Sequence, residues 1–293
     1  MNSRATWTDR IADAAIALVL ILLALSSLFP FVYILATSLS PMEQVLRGGI
    51  ILWPERFSFD AYSTILGNTN FVRSLYITAV TTIGGTFVNL ALTTFMAYPL
   101  SKKTLPGRET VLLLVTITIL FSGGMIPTYI VVNKLGLLDS VWSLILPGAI
   151  SAFNLIILKN FFQGIPSELE EAGKIDGCRT FGLLFRIVLP LSMPALATFT
   201  LFYAVGNWNQ FFNAVLYITK PELWTVQVFL RQMIFQGSTQ DVMGQSGFSG
   251  GQDILPVTIQ MAAIVVSTLP ILVVYPFLQK HFAKGVLLGS VKG

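Results

Sequence analysis

Residues Ser140–Val205 read "SVWSLILPGAISAFNLIILKNFFQGIPSELEEAGKIDGCRTFGLLFRIVLPLSMPALATFTLFYAV". Two apolar runs flank a compact polar insert, Ser167–Cys178. That insert holds four of the chain's fourteen acidic residues: Glu168, Glu170, Glu171 and Asp176. Each apolar run is about twenty residues long, enough to cross a roughly 30 Å hydrocarbon core as a helix. The stretch therefore predicts a span, a charged turn exposed to water, and a returning span.

The rest of the chain repeats the apolar part of this pattern. Of 293 residues, 54% are hydrophobic and only 11% are charged, with a mean hydropathy of +0.74. A soluble domain carries about a quarter charged residues, so this chain lacks the surface for water. The expected fold is an all-α membrane protein with six transmembrane helices, at roughly 12–37, 72–100, 109–132, 141–161, 188–218 and 257–280. The whole chain, 1–293, reads as a single transmembrane domain, because no period of 20–50 residues repeats within it.

Charge placement sets the orientation. With the N-terminus inside, twelve of the eighteen Lys and Arg fall on the cytoplasmic side, among them Lys102, Lys103, Arg108, Lys159, Arg179 and Arg186. The positive-inside rule selects that threading and puts both termini and the charged insert in the cytoplasm. Topology thus accounts for the net charge of +4, and nothing requires nucleic acid as a partner. The first apolar stretch exceeds a signal-peptide core and no small-x-small site follows it, so it is expected to stay attached.

Composition also narrows the energy source. The span interiors contain no Asp, Glu, Lys or Arg; Asp13 and Lys159 lie at ends. Ion-coupled carriers place such groups at depth. A phosphate loop needs G-x-x-x-x-G-K-[ST], and Gly173-Lys174 continues to Ile175. One cysteine, Cys178, and one histidine, His281, supply neither a disulfide nor a metal cluster nor a nucleophile–base pair. Hence no catalytic residue and no cofactor is expected in this chain, and a pump of this kind needs an external motor on its cytoplasmic face. Prolines in or beside the spans (Pro30, Pro127, Pro147, Pro190, Pro194, Pro270 and Pro276) predict bent helices, which suit a pathway better than an anchor. The Gly/Gln/Ser-rich "FQGSTQDVMGQSGFSGGQD", Phe235–Asp253, reads as a mobile part of the fifth connection.

The insert carries a helix-start signal. Ser167 is placed to cap the N3 amide and Glu170 to reach back to the Ser167 amide, a capping box. Gly177 is placed to end the helix in the left-handed conformation. So short a helix is marginal by itself in water. By spacing alone, it is either a docking element or a solvated connector.

"EAGKIDGCRTFGLLFRIVLP", Glu171–Pro190, resembles the EAA signature of bacterial ABC-importer permeases: E-A-A-x-x-x-G, nine residues, then I-x-L-P. Glu171, Ala172, Gly173 and Gly177 fill the first part, with Gly173 where alanine is more usual, and Ile187, Leu189 and Pro190 close it. The tail "PILVVYPFLQKHFAKGVLLGSVKG" and the stretch "VGNWNQFFNAVLYIT" are similar to the carbohydrate-uptake, maltose-type branch. "LFSGGMIPTYIVVNKLGLLDSVWSLILPGAISAFNLIILKNFF" looks most like its complex-oligosaccharide subgroup, a resemblance that extends to importers of alginate or other uronide fragments.

The resemblance implies a subunit of the bacterial cytoplasmic (inner) membrane that works with several partners. These are a second homologous permease, two ATP-binding subunits in a homodimer that hold the ATP and Mg, an external solute-binding protein, the oligosaccharide and membrane lipid. It further implies that the loop at about 163–187 contains a coupling helix between spans four and five. Glu170, Glu171, Ala172, Gly173, Asp176 and Gly177 would meet the ATPase there, and Gly289, Ser290 and Lys292 of the tail at about 281–293 would meet it too. The alternatives are a secondary sugar carrier, against which the charge-free spans argue, and a membrane scaffold.

A sugar route needs polar side chains at depth. Asn207, Trp208, Asn209, Gln210 and Asn213 cluster in the fifth span. In a continuous helix Asn207, Gln210 and Asn213 share a face. Lining a pathway and hydrogen bonding between helices both satisfy such amides. Asn89 and Asn154 fit packing better.

Overall fold

The computed structural model describes residues 7–243 and 256–290, all its regular structure being helical. Along the chain run α1 (Trp7–Ser38), α2 (Met42–Leu46), α3 (Asp60–Gly67), α4 (Thr69–Ser101), α5 (Arg108–Leu120), α6 (Met125–Lys134), α7 (Trp142–Ile145), α8 (Ala152–Gln163) and α9 (Ser167–Ile175). There follow α10 (Thr180–Leu183), a π turn (Leu184–Val188), α11 (Leu189–Leu191), α12 (Met193–Trp208), α13 (Phe212–Tyr217), α14 (Val226–Met243) and α15 (Pro256–Ser290).

Among the described residues, three helices are long and apolar enough to cross a membrane: Arg10–Ser38, Thr69–Ser101 and Val257–Val274. The count reaches five when each bent pair is one span, α5 with α6 (117°) and α10–α11 with α12 (84°). Straight helices were expected at 109–132, 141–161 and 188–218, and each is interrupted. The causes are local. Gly124, with φ +84°, stands between α5 and α6 just ahead of Pro127. Pro147 lies in the irregular segment that separates α7 from α8. Pro190 and Pro194 flank the bend at Ser192. Pro30, Pro270 and Pro276, in contrast, lie inside uninterrupted α1 and α15. Proline breaks a span here only where a glycine, a second proline or a π turn adds to it. The mobile segment expected at 235–253 is also corrected in part: residues 235–243 continue α14, and 244–255 lie outside the described residues.

The described residues form two compact units. One comprises the chain up to Asn68 with Gln232–Thr268. In it α1 presents its apolar side chains outward along most of its length. After α1 the connection to α4 folds on itself: Ser38 Oγ meets the Tyr62 hydroxyl at 2.7 Å, and the Ser58 amide donates to the Leu39 carbonyl at 2.9 Å. Trp53 and Phe57 pack edge-on and remain exposed, as residues at a headgroup interface do.

The other unit, Thr69–Arg231 with the chain from Leu269, holds the main core. There α4 packs along α8 and α12 around Tyr98, Leu100, Leu155, Leu158, Phe162, Leu184, Val188 and Phe199. Within a bilayer, lipid is as apolar as these side chains, so close fit and interhelical hydrogen bonds supply the association energy. Gly85 illustrates the fit, because a Cβ there would lie 2.8 Å from Asn207 Nδ2. Outside the spans Asp139, at φ +55°, clasps the turn after α13. Its carboxylate accepts from the Thr219 amide at 2.6 Å, the Thr219 hydroxyl at 2.7 Å and the Lys220 amide at 3.0 Å. Those hydrogen bonds hold the carboxyl below its ordinary range.

The irregular backbone at Leu146–Ser151 is satisfied by polar side chains of α4 and α12. Asn89 Nδ2 donates to the Gly148 carbonyl at 3.4 Å. The Tyr203 hydroxyl lies 2.7 Å from Thr93 Oγ1 and accepts from the Ser151 amide at 3.3 Å. Replacing Tyr203 with Phe keeps the ring and strands both partners. We predict a loss of about 1–3 kcal/mol, read as a lowered unfolding midpoint of the purified protein, whereas Thr93→Ser, which keeps a hydroxyl, stays near the parent.

Candidate functional site

The charged insert folds as the short helix α9, with a start that differs from the sequence reading. Pro166 holds the N-cap position and no side chain caps the helix. Glu170 does not reach back to the Ser167 amide, so the expected capping box is absent. The reason is a stronger partner. Glu170 is 8% exposed and its carboxylate takes the ammonium of Lys102, in the turn after α4. Lys102 Nζ also lies 4.6 Å from the centre of the Tyr98 ring. A charge-assisted bond outcompetes the exposed backbone amide that water already serves.

The helix end matches the expectation. Gly177 adopts φ +82°. Its amide donates to the Lys174 carbonyl at 3.0 Å, and the Cys178 amide donates to the Gly173 carbonyl at 2.9 Å, the paired bonds of a Schellman cap.

Only Glu170 and Gly173 of α9 are buried. Gly173 rests against the segment that leads back into the membrane: a Cβ there would lie 2.5 Å from Ile187 Cδ1 and 2.8 Å from Leu183 Cδ2. Glycine where alanine is more usual therefore allows a close seat. One stripe of α9 is thus fixed to the chain's own body by an ion pair and a packed glycine. The remaining faces carry Glu168, Leu169, Glu171, Ala172, Lys174, Ile175 and Asp176, all exposed, with Ile175 at 87%. Phe181 and Phe185, on the segment that follows, are exposed as well. From α10 the backbone passes through the π turn and α11 to the 84° bend before α12. A short non-helical stretch, 176–179, joins α9 to α10 at the start of that path. Of the tail residues, Gly289 and Ser290 end α15, while Lys292 lies outside the described residues.

The polar cluster of the fifth span is divided by a break. α12 ends at Trp208, Asn209 follows as its cap, and α13 starts at Phe212. Asn207, Gln210 and Asn213 therefore do not share one helical face, correcting the continuous-helix expectation. Asn207 Nδ2 donates to Thr86 Oγ1 at 3.4 Å and Gln210 Nε2 to the Leu144 carbonyl at 2.9 Å; both amides are engaged within the chain. Trp208 is buried and lines an apolar groove of about 490 Å³ between α4, α12 and α15, whose walls include Phe87, Leu201, Pro270 and Ile271. Asn209 is exposed and Asn213 half-buried. Among the described residues no side chain holds the Asn213 amide. Asn154 is buried at the start of α8.

Sequence reasoning missed Lys102, Tyr203 and Asp139. A lysine in a basic inner turn looks like a topology signal, and nothing local marks it as the partner of a glutamate 68 positions away. Tyr203 carried one visible signal, a hydroxyl in an otherwise apolar run.

Comparison with known proteins bears on the whole chain. The family described as "Binding-protein-dependent transport system inner membrane component" matches residues 4–288. The polygalacturonan/rhamnogalacturonan transport system permease protein YtcP of Bacillus subtilis is 51% identical over 286 residues, covering 97% of this chain and 99% of that protein. The protein LplC of the same organism is 50% identical over 268 residues, 91% of this chain and 90% of that protein. Among solved structures, a chain of a bacterial ABC transporter involved in the import of the acidic polysaccharide alginate superposes with a TM-score of 0.87. It is 32% identical, over 96% of this chain and all of that one.

The Lys102–Glu170 contact makes a measurable claim. Removing either charge leaves the other under-compensated, and Lys102→Met and Glu170→Gln are each expected to cost about 1–2 kcal/mol, since both groups keep some contact with water. The double variant is expected to cost less than the sum, in a thermal-unfolding double-mutant cycle on the purified protein. Additive losses would show that the pair does not hold α9.

Proposed function

The chain belongs to the family of binding-protein-dependent transport system inner membrane components, and from that premise we propose that it conducts acidic, uronate-containing oligosaccharides inward under the drive of a partner ATPase seated on α9. It is the permease of a carbohydrate-uptake ABC importer, a multi-pass inner-membrane protein and not the ATPase. The carrier and scaffold alternatives end with that membership. The substrate class is our reading. It is supported by a 51%-identical relative named for polygalacturonan and rhamnogalacturonan and by a structural relative that imports alginate, both acidic polysaccharides.

In this reading the chain crosses the membrane six times as one permease domain, with both termini in the cytoplasm. α1, α4 and α15 cross as single helices. The bent pair α5–α6, the interrupted α7–α8 and the bent α10–α12 make the other three. The partners are a second related permease, two copies of an ATP-binding subunit, and an external binding protein that delivers the sugar. ATP stays with the partner.

The observation that carries the mechanism is the two-sided character of α9: one stripe clamped to the chain's own body, the rest exposed and partly apolar. Glu171, Ala172, Asp176 and the surface beside them form the docking face, whereas Glu170 and Gly173 orient it and Gly177 ends the helix. Closure of the ATPases pushes α9, and the push reaches α12 through the π turn and the Ser192 bend. Gly289, Ser290 and Lys292 add a second contact with the ATPases.

In the pathway, Asn209 and Asn213 offer amides to sugar hydroxyls near the α12–α13 break. Asn207 and Gln210 hold that break in place, and Trp208 forms part of the wall behind it.

Glu171→Lys reverses the charge of an exposed α9 residue without touching the packed stripe. Transport and sugar-stimulated ATP hydrolysis are expected to fall together, by tenfold or more, an amount about 1.4 kcal/mol of lost coupling produces, while membrane insertion stays normal. Full transport in that variant would refute docking through α9. In ATPase stimulation by the reconstituted importer with its binding protein, oligogalacturonides are expected to exceed neutral arabino- and malto-oligosaccharides. Equal stimulation by neutral sugars would reject the acidic substrate class.

A further inference from the structure

At the end of the molecule that carries α9, two cations lie together without an anion. Lys159, one turn from the end of α8, is 8% exposed. Among the described residues it makes no ion pair or hydrogen bond; burial disfavours its charge first, and the guanidinium of Arg108, on the helix packed along α8, adds to that. Arg108 opens α5, which packs along α8. Its Nε donates to the Leu100 carbonyl at 2.8 Å, which fixes the guanidinium and leaves both terminal nitrogens without a partner in the described chain. The three elements concerned share one end of the unit with α9, because Lys102, two residues after Leu100, holds Glu170.

A lysine packed into the protein with only a small opening to solvent, beside a second cation, is a favourable seat for an anion. Lys102, the neighbouring cation, already has Glu170. Beyond Arg108, α5 continues with exposed Leu113, Leu114 and Ile117, an apolar track running away from the charged end. Basic pockets between helices on the cytoplasmic side, with apolar surface beyond them, fit anionic headgroups. We propose that Lys159 and Arg108 bind the phosphate of an anionic phospholipid of the inner leaflet, with its acyl chain lying along α5. The positive end of the α5 dipole adds to the attraction. Arg108 supplies two donors in one plane for the phosphate oxygens, and Lys159 supplies a point charge.

The test uses the complete, delipidated importer complex titrated with phosphatidylglycerol or phosphatidylcholine and read by native mass spectrometry. The parent is expected to hold phosphatidylglycerol preferentially. Lys159→Met and, independently, Arg108→Gln are expected to weaken that binding about tenfold, the loss of one charged hydrogen bond, while Lys159→Arg retains it. Arg108→Gln serves if the buried substitution prevents assembly. Equal retention of both lipids by the parent, or unchanged phosphatidylglycerol binding in both neutralised variants, would overturn the proposal. Displacement of the lipid by millimolar inorganic phosphate would assign the pocket to a free anion instead. Loss of a partner subunit from Lys159→Met with lipid binding intact would assign it to a partner carboxylate.

Discussion

Glu170 turns its carboxylate inward to Lys102, and that contact decides which face of α9 is left for others. A nine-residue helix in water has little stability of its own. Here it is clamped at two points one turn apart: the ion pair at Glu170 and the glycine seat at Gly173. With that stripe committed, the exposed Glu171, Ala172 and Ile175 take defined directions. A freely solvated connector needs neither clamp. In the proposed coupling the clamp would carry the force, because a push on a loosely tethered helix is lost in the tether.

Behind α9, apolar surroundings impose a second constraint: every interrupted helix must find donors and acceptors within the protein. The segment at Leu146–Ser151 does so through Asn89 and through Tyr203 with Thr93, and at the α12–α13 break the Gln210 carbonyl accepts from Thr225 Oγ1 at 3.4 Å while the Gln210 side chain donates to the Leu144 carbonyl. Most Ser and Thr hydroxyls of the spans bond to carbonyls one turn back in their own helix, and Asn89, Tyr203 and Gln210 are spent on backbone elsewhere. Near the break Asn209 and Asn213 remain uncommitted, and in the proposed reading a second permease completes the route.

Much of this was legible in the sequence, and the failures have identifiable causes. Hydropathy found the apolar segments and the charged turn because each is a local property of some twenty residues. Gly177 was readable as a left-handed cap because glycine after a short helix has few other uses. Helix continuity was not readable. The same proline leaves α1 and α15 uninterrupted but coincides with breaks at 147 and around 192, where Gly148 in one case and a π turn with Pro194 in the other add to it, while Asn89 and Tyr203 meet the backbone freed at the first. The capping box failed for a distant reason: its local geometry was sound, and a lysine from another turn took the glutamate. Asn207, Gln210 and Asn213 were grouped by a helical period that the chain abandons at Asn209.

The most direct measurement of the central claim is accessibility at Ile175. In a Cys178→Ser background, Ile175→Cys would be exposed to a membrane-impermeant maleimide from the cytoplasmic side, first with this permease expressed without its ATPase and then in the assembled importer. The account predicts rapid labelling of the permease alone and strong protection in the complex, with protection changing when ATP is trapped. Equal, rapid labelling in both would show that the exposed face of α9 meets no ATPase.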